Sequence, residues 1–381
     1  SGVRIMAFTT IDDPSEHFQV KNWVSTDTGD NVSQTFDGNS DMKPDMIWHR
    51  ASETVGDHGI FTSILYGIDY DGDDTQSTGI VSPNREQSAY NEGAGVDFHS
   101  FDTDGFTLDS SSQIDTAPGG NEKMTDWCWK GSNGVHTNVS ADAGNSILAV
   151  THGANTTAGF TQISWQGNGT GSQKIYHGLG RQIDFVLIKN REQSDHWVAW
   201  FRALADRSAS STFQLSSNAA ASTSPNPFDG NRAENNNFFY VSNDHEVNAS
   251  GENYVAFGWS NIQGYCKIGR FVGNGSTNGP FVYTGFRPPW LMYKEDEAQG
   301  GWGIWDHGSQ NGPYNPINKR FRADDFSVQD TSNDNRIDFL SNGFKVRTSS
   351  GGFNQSGRDI YYIACAHQPF TSSIGVPANA R

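Results

Sequence analysis

Basic residues are scarce in this 381-residue chain: 26 Lys and Arg stand against 43 Asp and Glu, for a formal net charge of −17. Nucleic-acid backbones are bound by a basic face that releases counterions, so this balance argues against nucleic acid as a partner. Acidity that keeps an aromatic-rich chain soluble is the stronger reading, with a specific cationic ligand as the alternative. No apolar run approaches the length of a bilayer crossing, which argues against membrane insertion, and no stretch sustains helical periodicity. The opening residues carry no secretion signal, although Ser1 is not an initiator methionine. Cysteine is limited to three residues, too few for a disulfide framework, and the chain reads as one that folds in a reducing compartment. The Asn-x-Ser/Thr sequons at Asn138, Asn155, Asn168, Asn248 and Asn274 then read as turn chemistry.

What fills the chain is glycine, 42 residues, and aromatic side chains, 12% of the total, separated by Ser, Asn, Thr and Asp. This is the composition of short strands joined by tight turns. One pattern is written three times. GFTQISWQGNGTGSQKIYHGLGRQIDFVLIKNR starts at Gly159 and GYCKIGRFVGNGSTNGPFVYTGFRPPWLMYKED at Gly264, and a more worn copy runs from Phe18 to Arg50. Downstream slots repeat in step, for instance TDWCWK at Thr125, NYVAFGWS at Asn253 and IYYIACAHQPF at Ile360. A period of roughly 105 to 130 residues suits a small domain rather than a solenoid unit. The expectation is an all-β chain of three tandem antiparallel β-sandwiches of jelly-roll or concanavalin-like type, spanning 1–132, 133–262 and 263–381.

Copy two predicts strands over 160–166, 173–177, 185–189, 197–202, 212–215, 238–242 and 254–259. The run Asp184–Lys189, apolar on both faces, is expected to be central, and alternating runs such as Tyr254–Trp259 to lie at edges. Ile147–Val150, the one apolar segment of residues 133–158, is read as an extra strand feeding copy two, with linker as the alternative. Val3–Phe8 resembles the closing slot, and Thr371–Arg381 reads as an extended arm. Cys128 and Cys365 fall at matching closing positions with Gly258 between them, which suggests a spot that takes only small side chains.

Enzyme chemistry has little to stand on. A sandwich glycosidase needs carboxylates on one strand face, and no predicted strand has them; Glu295-Asp296-Glu297 is contiguous and reads as a solvated turn. No nucleophile elbow, phosphate loop or Cys-His pairing is present, so no catalytic residue is assigned. His58, His196 and His307 share a slot but lack metal spacing. Asp69, Asp71 and Asp73 resemble the first half of a calcium loop, yet Ile80 stands where the bidentate Glu belongs. A solvated acidic insertion is the stronger reading there, with Ca2+ held by additional loop oxygens as the alternative. Trp302, Trp305, Asp306 and Tyr314 place rings beside short polar groups, as a sugar platform requires. Strand alternation, however, turns at least one of the two tryptophans inward, and core packing is the stronger reading.

At several of these motifs the chain resembles a family of tailed-phage virion proteins, widespread in marine phages, that carry concanavalin-like sandwich repeats. The residues that carry the resemblance are Ala158–Phe160, Gly167–Gly169, His177–Gly180, Gly273–Trp290, Ile337–Ser349 and the ending PF…VPANAR. It covers nearly everything from about Trp127 onward, and copy one matches weakly. Lys294-Glu295-Asp296-Glu297 replaces the family's usual basic pair, and Cys365 and His367 are also atypical. The resemblance implies a non-enzymatic virion component, such as a tail fibre, tail accessory or capsid decoration, assembled in the bacterial host cytoplasm. Its expected partners are other virion proteins and further copies of itself, most simply as a trimer. Host-surface glycan is a candidate ligand. A polysaccharide depolymerase and a purely architectural particle-stabilising protein are the rival readings.

Overall fold

The computed structural model describes residues 9–25, 31–52, 58–65, 98–108, 121–144, 146–206, 211–222, 228, 236–296, 300–308, 314–325, 327–331 and 336–367. The Val3–Phe8 segment and the Thr371–Arg381 arm lie outside the described residues. Strand makes up 45% of the structure and helix 4%, so the chain is all-β.

Each copy carries a large antiparallel sheet with the same inner order: opening strand, closing strand, apolar-run strand, fourth strand. In copy one these are Phe18–Val24, Lys123–Trp129, Met46–Ala51 and His58–Thr62. In copy two they are Phe160–Gln166, Asn253–Trp259, Phe185–Asn190 and Val198–Phe201, and in copy three Cys266–Val272, Asp359–Cys365, Trp290–Glu295 and Gly303–Asp306. A smaller sheet closes each sandwich. It is formed by Val32–Gln34, Gly105–Leu108 and Phe98–Asp102 in copy one and by Gln173–Tyr176 with Phe238–Val241 in copy two. In copy three it is formed by Phe281–Tyr283, Gly343–Val346 and Ile337–Leu340. The segment before copy two supplies two strands, Thr137–Val139 and Val150–Asn155, which lengthen that sheet. Ile147 itself makes only an isolated parallel bridge to Lys174.

The Gly-Asn-Gly turns that marked the repeat are held by one device, used twice. In copy two the buried Asn248 accepts from Asn168 N at 2.9 Å and donates Nδ2 to the Thr170 and Ser242 carbonyls. In copy three Asn354 accepts from Asn274 N at 2.8 Å and donates to the Ser276 and Thr348 carbonyls. The first glycine of each turn passes so close to this loop that a Cβ would strike the carbonyl of Ala249 at Gly167, or of Gln355 at Gly273. Only glycine allows that approach.

Residues alternate along each large sheet between the sandwich interior and the opposite face, and in this chain the opposite face is also buried. In copy two Ile163, Trp165, Ile188, Tyr254 and Ala256 fill the sandwich with Ile175, Phe239 and Val241. The other row, Phe160, Phe185, Leu187, Phe257 and Trp259, joins a cluster with Phe18, Trp48, Trp127 and Trp129 of copy one and Trp290, Met292 and Ile363 of copy three. Trp129 lies at its centre, with ring centroids 4.9 Å from Phe18, 5.8 Å from Trp259 and 5.2 Å from Trp290. The three large sheets therefore turn their outer faces toward one another around a shared core.

The polar contacts between copies run head to tail and close into a ring. Copy one reaches copy two where Thr62 Oγ1 donates to Gln162 Oε1 at 2.5 Å and Gln162 Nε2 donates to Ser63 Oγ at 2.6 Å. Copy two meets copy three where Trp302 Nε1 donates to the Gln214 carbonyl at 2.9 Å. Copy three returns to copy one where Trp127 Nε1 donates to Asp306 Oδ2 at 3.1 Å. Two of these junctions share a further feature. The fifth residue of the apolar-run strand is a buried cation in every copy, Arg50, Lys189 and Lys294. Arg50 lies over the Phe321 ring of copy three at 5.4 Å, and Lys294 over the Phe213 ring of copy two at 5.5 Å. A head-to-tail interface that closes after three steps is the geometry of a cyclic trimer, achieved here inside one chain.

Burial, only partly offset by nearby acids, lowers the Lys294 pKa from its usual 10.5 to about 8. Between those values the unfolded chain binds more protons than the folded one, so stability rises with pH across that window. A gain of up to about 3 kcal/mol is expected from this group. Urea melts of the natural chain and of Lys294→Met at either end of the window should register the difference, since the opposing slope of the buried Cys128 and Cys266 thiols, whose pKa values are raised, is common to both.

Two sequence expectations are corrected by this arrangement. Asn253–Trp259 is the most central strand of copy two, paired to Phe160–Gln166 on one side and Phe185–Asn190 on the other; its alternation did not mark an edge because both of its faces are covered. The small-residue slot is Cys128, Gly258 and Ala364, each opposite the second residue of its opening strand. Cys365 belongs one position later, with Trp129 and Trp259, and faces Cys266 directly across the strands. All three cysteines are free and buried.

Candidate functional site

The aromatic stretch singled out in copy three does not form a surface platform. Trp302 and Trp305 are both fully buried. Trp302 faces the shared core, 6.2 Å from Phe201 and 5.7 Å from Phe213. Trp305, on the opposite face, stacks inside the sandwich on Tyr293 at 4.8 Å and against Phe353 at 4.5 Å. Asp306 is 2% exposed and accepts from Trp127 Nε1 and from Gly308 N. Alternation turned one tryptophan into the sandwich and the ring of copies covered the other, so neither has a free face for a sugar. Tyr314 alone of the four is exposed, at 80%. Asp69, Asp71 and Asp73 lie outside the described residues. Among the described residues no cluster of three or more His, Cys, Asp or Glu is placed to hold a metal ion.

A polar recess lies instead where copy one hands over to copy two. It is a cleft of about 450 Å³ lined by His17, Lys130, Ser132, Asn133, His152 and Asn155, among others, and none of its lining residues is acidic. Its walls follow from the fold. His17 precedes the opening strand of copy one, Lys130 to Asn133 follow its closing strand, and His152 and Asn155 come from the added strand of copy two. Lys130 N donates to the His17 carbonyl at 2.9 Å, which ties the first two together.

Hydrogen bonds fix the chemistry of the wall. Asn155 Oδ1 accepts from Ala158 N at 3.0 Å and Asn155 Nδ2 donates to the Lys130 carbonyl at 3.1 Å, which sets the amide orientation. Its Nδ2 therefore also donates to His17 Nδ1, at 3.1 Å, and the proton of the neutral ring must sit on Nε2. Burial first, then Lys130, against an opposing pull from Asp13, lowers the His17 pKa to about 4. His152 is 7% exposed, and neither of its ring nitrogens finds a partner. Burial, with His136 beside it, holds it below the usual imidazole range. The HGLG turn covers this ring so closely that a Cβ at Gly178 would collide with it, which gives that motif a packing role. Asn155 stood out only as a sequon and Gly178 only within the HGLG motif; His17, Lys130 and His152 did not stand out, because each is a lone polar residue in a turn or strand and only the fold brings them together.

A second buried polar group sits within copy one. His49 Nδ1 and Asp126 Oδ1 are 2.5 Å apart, and Trp23 Nε1 donates to Asp126 Oδ2 at 2.6 Å. Both side chains of the pair are essentially inaccessible to solvent. They are direct cross-strand partners, as are Ile188 and Ala256 in copy two and Tyr293 and Tyr362 in copy three. A sandwich-core position that is apolar or aromatic in two copies is ionisable in the third.

A family model described as a domain of unknown function matches residues 13–369. No curated protein and no solved structure matches the chain.

Proposed function

The chain belongs to the DUF7483 family, a domain of unknown function, and we propose that it is a non-enzymatic structural protein of a tailed-phage virion, a tail fibre, tail accessory or capsid decoration. The observation that carries the reading is the closed ring of three sandwiches around one shared core. Such a body spends its aromatic and buried polar side chains on holding itself together, as suits a rigid block displayed in many copies. The resemblance at Gly167–Gly169 and Gly273–Trp290 points to the same class of protein, and the turns there serve the scaffold. Other virion proteins are its partners, and further copies of the chain assemble with it, as a trimer or as many copies on a symmetric particle.

Within this reading, the burial of Trp302 and Trp305 favours a purely architectural role over glycan attachment through those rings. The experiment is a cryo-electron microscopy map of particles from the phage that encodes the chain. A three-lobed density repeated at symmetry-related positions is expected. Particles that lack the chain altogether would overturn the proposal.

A further inference from the structure

From the cleft between copies one and two we infer an oxyanion-binding site, with the carboxylate of an acidic sugar or a phosphoryl group as its ligand class. The charge pattern is the first ground. In a chain of net charge −17, the cleft carries the Lys130 ammonium and the His17 and His152 imidazoles with no carboxylate in its lining. The acids behind the wall have their oxygens occupied, Asp45 by the very turn that lines the cleft. Asp45 accepts from the N–H groups of Gly131, Asn133 and Gly134 and from Ser63 Oγ, at 2.6 to 2.9 Å. Asp13 accepts from Ser15 N, Ser15 Oγ and Ser40 Oγ. Among the described residues Lys130 has no ion-pair partner, while Arg202, Arg270, Arg320 and Arg322 each have one.

The second ground is the unmet bonding capacity of the wall. His152, more than nine-tenths buried, has two ring nitrogens without a partner, and Ser132 Oγ is likewise unpartnered. Buried polar atoms are nearly always satisfied, so those left over mark where a water, an ion or a ligand belongs. His17 offers an Nε2–H donor whose tautomer is fixed from behind by Asn155. A cation, an N–H donor and a hydroxyl around a recess of this size match an oxyanion, whether carboxylate or phosphoryl, better than a neutral hydroxylated ring, whose hydroxyls would leave the ammonium unpaired.

Isothermal titration of the full chain at neutral pH tests this, with sodium glucuronate, inorganic phosphate and glucose as probes. Saturable binding of at least one anion is expected, with none for glucose, and Lys130→Met should weaken it by about tenfold or more. Lys130 is partly exposed and makes only backbone hydrogen bonds, so a melting temperature unchanged in that variant will separate lost binding from lost folding. Should the variant unfold early, His17→Gln provides the second reading, with the same expected direction. Binding of glucuronate alone identifies a sugar acid as the source, and binding of phosphate alone a phosphoryl group. Glucose binding as well as the anions, no saturable binding of either anion, or affinities indifferent to both substitutions would overturn the inference.

Discussion

Replacing Asp126 by Ala should destabilise the chain by about 3–5 kcal/mol, the cost of leaving a buried partner charge or donor uncompensated. Two groups depend on that carboxylate, His49 Nδ1 at 2.5 Å and Trp23 Nε1 at 2.6 Å. Neither has access to water once the sandwich is closed. The other copies show what the position accepts without charge. Copy two places Ile188 against Ala256 there, and copy three has Phe271 in the slot of Trp23. Installing those residues together, as Trp23→Phe, His49→Ile and Asp126→Ala, should recover more than half of the loss, because apolar replacement of a whole buried pair is often neutral. Chemical denaturation of the two variants gives the comparison. A triple variant as unstable as Asp126→Ala would mean that the buried His49–Asp126 pair contributes something packing cannot replace.

The second large effect concerns the shared core. Trp129→Ala should cost about 3–5 kcal/mol from lost burial and the cavity left behind, and the loss should not stay in copy one. Trp129 touches Phe160 and Trp259 of copy two and Trp290 of copy three, at centroid distances of 6.4, 5.8 and 5.2 Å. Amide hydrogen exchange should therefore quicken in the closing strands of all three copies. Faster exchange confined to Lys123–Trp129 and its neighbours would show that the copies are energetically separate.

What could be read from the sequence was local. The strand Phe160–Gln166 is found where alternation and the Gly-Asn-Gly turn put it, since both signals lie within a dozen residues. The sandwich class follows from the same short-range regularity. The ring was not legible, because its contacts join residues such as Arg50 and Ser327 or Trp127 and Asp306, far apart in the chain and on strand faces that look ordinary one at a time. Assuming one wet face per sheet misplaced Tyr254–Trp259 at an edge and left open a sugar platform at Trp302 and Trp305. It also hid the meaning of a basic residue closing each apolar run: Arg50 and Lys294 sit over the aromatic ring of a neighbouring copy. The cleft depends on the same long-range assembly, because His17 and His152 come together only when the added strand of copy two is laid beside copy one.

The central claim is that three sandwiches share one core and form a single cooperative body. Scanning calorimetry of the full chain tests it most directly. A shared core predicts one transition whose calorimetric and van't Hoff enthalpies agree, a ratio of about one. Two or three resolved transitions, each with the enthalpy of a single sandwich, would contradict it.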